Sequence, residues 1–124
     1  MSLAGPAERV DKPWGYELIW ARTDRYVGKI LHIAAGEALS LQYHERKDET
    51  LYLLDGTLEL HLGEERQALQ SVILEPGQCV RMWPGRRHRL VARTVCEVLE
   101  VSTPELDDVV RLDDRYGRVD RRGG

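Results

Sequence analysis

Four side chains in this sequence could hold a metal ion between them. Gln42 and His44 stand two residues apart in the run from Leu39 to His44, Glu49 follows a short polar break, and His88 comes just after Trp83-Pro84-Gly85. Two imidazole nitrogens, a carboxylate oxygen and a carboxamide oxygen make a mixed N/O donor set suited to a borderline divalent cation. Gathered in an apolar interior without such a partner, that much polarity would be costly. His32 and His61 are read instead as surface or hydrogen-bonded histidines.

Other polar residues fall near the same region. Lys29 interrupts the otherwise apolar run from Tyr26 to Ala34, so it is a candidate for an electrostatic or acid–base role. Its alternative is a lysine whose head reaches solvent. Arg86, Arg87 and Arg89 flank His88. Strand alternation turns Arg87 and Arg89 away from the His88 face, as solvated arginines, while Arg86 lies in the turn. Trp14, Tyr16 and Trp83 could stack on a sugar ring or pack in a core or an interface. With Tyr43, they are expected to bracket the site. Glu100 either supports the site from behind or is exposed on an outer strand. Cys79 and Cys96 are too few and too far apart for a disulfide framework or a paired-cysteine site, and both are expected as small core residues.

The elements that must position these groups read as strands. Leu39 to His44 alternates, with Ser40, Gln42 and His44 on one face. Thr50 to Leu54 runs into Asp55-Gly56, a strong hairpin signal, and Thr57 to Leu62 continues beyond it. Ser71 to Leu74 stops at Pro76-Gly77, and Gln78 to Trp83 stops at Pro84-Gly85. Arg87 to Ala92 and Cys96 to Ser102 close the set. Turn signals at this spacing predict an antiparallel all-β sandwich or barrel. The charge-dense stretch from Leu106 to Arg122 is expected as a short helix or an extended arm.

Composition bounds the function. The 124 residues suffice for one domain, and a net charge of −3 argues against a general nucleic-acid binder. The core must be filled without Phe, of which there is none. No run approaches the ~20 apolar residues of a membrane span, and the N-terminus lacks the pattern of a secretion signal. A cytoplasmic protein with no membrane and no nucleic-acid partner is expected.

The spacing carries a resemblance. Gly36, five residues, Gln42, one residue, His44, four residues, Glu49, six residues, Gly56 resembles the first cupin motif, with Gln42 in place of its first His. Gly77, five residues, Trp83-Pro84-Gly85, two residues, His88 resembles the second, with Trp83 in place of a Pro and Ala92 in place of an Asn. The resemblance implies a double-stranded β-helix, the cupin jelly-roll barrel, as one domain over residues 1–124. Its core would span about 26–102, between an N-terminal arm (1–25) and a C-terminal arm (103–124).

Further motifs are similar to those of the type II mannose-6-phosphate isomerase domain, usually the C-terminal part of a bifunctional enzyme that is also a mannose-1-phosphate guanylyltransferase. They are Lys12-Pro13-Trp14-Gly15-Tyr16, Lys29, Leu39-Ser40-Leu41-Gln42 with His44, Asp108-Val109-Val110-Arg111, and Asp114 with Tyr116-Gly117-Arg118. Lys47 stands where that family has Arg, and Thr50-Leu51 where it has His-Trp. No nucleotidyltransferase domain lies in these residues, so the guanylyltransferase activity is not expected of them.

This resemblance implies a metal-dependent sugar-phosphate aldose–ketose isomerase working through a metal-stabilised enediolate. Gln42, His44, Glu49 and His88 would be the metal ligands, and Lys29 and Arg118 the catalytic residues. It implies zinc first, with manganese, iron or nickel able to use the same ligands. Its substrate would be a small molecule, a sugar phosphate, and its assembly a homodimer paired through an outer sheet. Two other readings stay open: another metal-dependent cupin enzyme such as a small-molecule dioxygenase, or a non-catalytic carbohydrate-binding cupin.

Overall fold

Alternation in β3 (Val27–Ile33) sets the two sides of the fold: Val27, Lys29, Leu31 and Ile33 are buried, whereas Ile30 and His32 between them are only half-buried. The same period-two pattern repeats in β6 (Leu58–Gly63), where Leu58, Leu60 and Leu62 turn inward, and in β10 (Cys96–Ser102), where Cys96, Val98, Glu100 and Ser102 do so. The computed structural model describes residues 3–119, so the outermost parts of the expected arms, 1–2 and 120–124, lie outside the described residues.

Eleven strands form two antiparallel sheets among the described residues. The larger has the order β1-β2-β3-β10-β5-β8, and the smaller β11-β4-β9-β6-β7. The strands not yet given ranges are β1 (Glu8–Lys12), β2 (Gly15–Arg22), β4 (Leu41–Tyr43), β5 (Glu49–Asp55), β7 (Gln70–Leu74), β8 (Cys79–Met82), β9 (Arg87–Ala92) and β11 (Val110–Asp113). Inward residues of both sheets make one core. Leu31, Ile33, Leu51, Leu53 and Val98 come from the larger sheet, and Leu58, Leu60, Leu74, Leu90 and Ala92 from the smaller. Aliphatic side chains fill the space that Phe would otherwise take. Among the described residues no helix is long and apolar enough to cross a membrane.

Several differences from the sequence expectations have physical causes. Residues 8–22, placed in an arm, form a hairpin whose β2 pairs with β3 from Gly15↔Ile33 to Arg22↔Val27, so they extend the larger sheet. Gly15 permits this close approach, because a Cβ there would lie 2.0 Å from the His32 carbonyl oxygen. Of the two alternatives for the stretch after Leu106, the extended one is found at β11, which pairs with β4 through Val110↔Tyr43 and Arg111↔Gln42. Cys96 is a core residue as expected, but Cys79 is exposed: it lies on the outer face of β8, an edge strand of the larger sheet.

Candidate metal centre

Register brings the ligand candidates together. The pair Gln42↔His88 joins β4 to β9, and the His44 carbonyl accepts the Gly85 amide at 2.7 Å, which ties the end of β4 to the turn before β9. β5 starts at Glu49, whose side chain points inward like those of Leu51 and Leu53. His44 Nε2 lies 3.0 Å and His88 Nε2 3.3 Å from Glu49 Oε1, with all three residues buried. Their ligating atoms fall within 4.8 Å of one another. Gln42 Nε2 is 3.5 Å from His88 Nε2, while Gln42 Oε1 accepts from Ser40 Oγ at 2.8 Å. Turning the carboxamide over would offer its oxygen to the centre and leave Ser40 Oγ an N–H to accept.

The tautomers make this arrangement fit a cation. His44 Nδ1 lies 2.6 Å from the Asp108 carbonyl, and His88 Nδ1 lies 2.9 Å from the Arg86 carbonyl. A carbonyl only accepts, so each Nδ1 carries a proton; a neutral ring then presents a bare Nε2 lone pair to Glu49, whereas a protonated ring donates its Nε2–H to that carboxylate. Lone pairs facing a carboxylate oxygen repel. Protons on the rings or one shared divalent cation resolves the conflict. Ring nitrogens anchored on backbone carbonyls are the usual support of metal-bound histidines. Glu49 Oε2, also buried, faces the Lys47 ammonium at 3.3 Å, which leaves Oε1 to the two histidines. The donor set of two imidazoles and a carboxylate suits a divalent ion.

Behind the centre, buried charges alternate in sign. Lys47 Nζ lies 3.3 Å from Glu49 Oε2 and 3.6 Å from Glu100 Oε2, and Lys29 Nζ lies 3.3 Å from Glu17 Oε1. The pairing Glu100↔Lys29 across β10 and β3 links the two groups. Burial opposes the Lys47 charge, but Glu100 and Glu49 outweigh it and hold its pKa above the ordinary value. Burial also opposes the Glu49 charge, but His44, His88 and Lys47 outweigh it and hold that carboxyl well below the usual range. Glu100 goes the other way. Burial and then the Glu49 charge push it up to about 7, against Lys47 and Lys29.

These groups line a cavity of about 100 Å³ whose wall also includes Trp14, Arg111 and Arg118. Lys29 and Arg118 therefore both reach the cavity. Arg118 is held by Asp114, which accepts from its Nε at 2.9 Å and its Nη2 at 3.1 Å. Three aromatic residues expected to bracket the site do not line it. Tyr16 stacks on His32 on the outer face, Tyr43 lies under Arg87, and Trp83 lies under Arg86, 38% exposed. Trp83 follows β8 at the turn before β9, where its ring finds the Arg86 guanidinium outside the core. Arg87 and Arg89 point outward as alternation required, Arg89 to Asp113 at 2.8 Å. His32 pairs with Glu97 and His61 with Glu59, consistent with the hydrogen-bonded reading of both.

Sequence reasoning missed Glu17 and Lys47 as members of the site. Glu17 shares the inward face of β2 with Ile19, a signal that needs the hairpin to be known first. Lys47 stands two residues before Glu49, so an extended chain would have put both on one side.

Comparisons with known proteins agree with this architecture. The Cupin domain family matches residues 29–102. The chain is 35% identical over 116 residues to mannose-1-phosphate guanylyltransferase ManC of Salmonella typhimurium, covering 89% of this chain and 23% of that protein. It is 33% identical over 117 residues to xanthan biosynthesis protein XanB of Xanthomonas campestris, covering 90% and 24%. The chain thus spans about a quarter of the length of these relatives. Among solved structures, KdgF from Halomonas sp. superposes with a TM-score of 0.70 at 24% identity, covering 81% of this chain and 88% of that one. Oxalate decarboxylase from Bacillus subtilis does so with a TM-score of 0.75 at 13% identity, covering 90% and 33%. At these identities the two structures speak to the fold alone.

Proposed function

The chain belongs to the cupin domain family, and from that premise we propose that it is a metal-dependent sugar-phosphate aldose–ketose isomerase resembling mannose-6-phosphate isomerase. The observation that carries the proposal is that His44 and Glu49, of the cation-ready His44–Glu49–His88 cluster, line one cavity with the ammonium of Lys29 and the guanidinium of Arg118. Relatives named for mannose-1-phosphate chemistry match across most of this chain, which supports a phosphorylated sugar as substrate.

Gln42, His44, Glu49 and His88 would hold the ion, zinc in the first instance, with manganese, iron or nickel as alternatives. When bound, such an ion supplies positive charge for the sugar oxygen that becomes negative as a proton moves between adjacent carbons. The chain's own residues do the rest. Glu17 holds the Lys29 ammonium at 3.3 Å, so that a proton donor faces the cavity from a buried strand. Asp114 fixes the Arg118 guanidinium at the wall, where it can attract a phosphate.

We assign the outer face of the larger sheet to pairing with a second copy of the chain. There Leu18, Ile30, Leu99 and Tyr52 lie in register across β2, β3, β10 and β5, flanked by exposed Trp20 and Val101. Apolar rows of this kind mark protein interfaces.

The test of the activity is conversion of mannose-6-phosphate to fructose-6-phosphate by metal-loaded protein. Turnover of an aldose or ketose phosphate supports the proposal. Failure to turn over any aldose or ketose phosphate refutes it, whether the protein instead consumes oxygen with iron or binds a sugar without converting it.

A further inference from the structure

The loop between two of the metal-ligand candidates is held by a residue from the far end of the chain. Asp108 follows β10 in the segment leading to β11, and it faces residues 44–47. Its carboxylate accepts three successive backbone N–H groups: Glu45 at 3.0 Å on Oδ1, Arg46 at 2.7 Å and Lys47 at 2.8 Å on Oδ2. Consecutive N–H groups converging in this way form an anion-binding concavity, here filled by the protein's own carboxylate. The same residue's carbonyl accepts the Nδ1–H of His44 at 2.6 Å. One residue therefore fixes the short span joining His44 to Glu49 and also the ring orientation of His44.

We propose that Asp108 is a positioning residue for the metal centre: its carboxylate clamps residues 45–47 and so seats its own carbonyl against His44. The proposal rests on the reading of His44, Glu49 and His88 as metal ligands. The bonds concerned are to an ionised acceptor, roughly twice as strong as neutral ones. Other bonds keep the two segments docked without them. Thr103 N–H donates to the Asp48 carbonyl at 3.0 Å, and Asp48 N–H donates to Thr103 Oγ1 at 3.0 Å. Loss of the Asp108 carboxylate should thus loosen His44 within a fold that persists. Asp108 is distinct in this from Asp114, whose carboxylate serves Arg118 at the cavity wall.

The experiment compares the full chain with Asp108→Ala, Asp108→Asn and His88→Ala. Zinc affinity is read by competition with a chromophoric chelator. The tautomer of His44 is read in the metal-free protein from long-range ¹H–¹⁵N correlations of its ring. Zinc affinity is expected to fall about 10- to 100-fold in Asp108→Ala, the range for loss of support behind a metal ligand. The single Nδ1–H form of His44 should give way to a mixture of both tautomers. Asp108→Asn keeps one acceptor oxygen and should recover part of the affinity, and it is the variant to read should Asp108→Ala lose its native spectrum. Wild-type affinity with an unchanged His44 tautomer in the folded variants would overturn the proposal while leaving the metal site standing. Zinc binding by His88→Ala that equals that of the unaltered chain would instead overturn the metal reading, and this proposal with it.

Discussion

Glu100→Gln should make the protein more stable at neutral and alkaline pH, by an amount that depends on pH in a defined way. Glu100 is 6% exposed on β10, and its Oε2 has no hydrogen-bond partner. Burial and the Glu49 charge lift its carboxyl from 4.5 to about 7. In the unfolded chain a glutamate titrates near 4.3, so between these limits the native state holds a proton that the unfolded state has lost. Stability then falls as pH rises through that window and levels off above it, because the slope follows the protons bound by the unfolded state minus those bound by the native state. A displacement of this size corresponds to roughly 3 kcal/mol. Glutamine keeps the shape of the side chain and does not ionise.

The stability of Glu100→Gln relative to the unaltered chain should therefore be constant below the window, climb through it, and settle about 3 kcal/mol higher above it. For a domain of this size that is roughly 10 °C in Tm. Urea melts of both metal-free proteins from about pH 4 to about pH 8.5 measure the difference, and titrations common to both cancel in it. A difference that stays flat with pH, or declines as pH rises, would refute the reasoning that Glu100 is forced to ionise in a buried place beside Glu49.

Three further outcomes follow from other parts of the structure. Leu60→Ala empties a fully buried position on β6 and should cost about 2–5 kcal/mol, read as a lower urea midpoint with an unchanged m value. Gly56→Ala forces a side chain into φ +97°, with its Cβ 2.3 Å from the Val95 carbonyl oxygen, and should cost on the order of 1–3 kcal/mol in the same assay. Tyr52→Glu puts a charge at the β5 end of the apolar row on the larger sheet; sedimentation should find a dimer in the unaltered chain and a monomer in the variant, and a monomer in both would dismiss the pairing surface.

Legibility in the sequence tracked how local each signal was. His88 was readable from its place just after Trp83-Pro84-Gly85, at the start of a strand. Gln42 and His44 were readable from a spacing of two. The hairpin at Asp55-Gly56 announced itself, and Gly56 takes the positive φ that such a turn requires. Glu17 and Lys29 meet only because β2 pairs with β3, so their contact is a property of the sheet. Asp108 supports His44 from 64 residues away; its motif marked the residue in the sequence, but not the partner that only the fold brings to it. Trp83 was misplaced because composition cannot tell a ring that faces a cavity from one that covers an arginine on the surface.

The central claim is that His44, Glu49 and His88 form a site for one divalent ion, with each Nε2 cleared of its proton by a hydrogen bond made on the opposite side of the ring. A calorimetric zinc titration in buffers of different ionisation enthalpy, repeated from about pH 5 to about pH 8, tests it most directly. Saturation at one ion per chain is predicted, with affinity that weakens as pH falls and protons released on binding in the acid range. No saturable binding at neutral pH, or an affinity and proton count that do not change with pH, would contradict it.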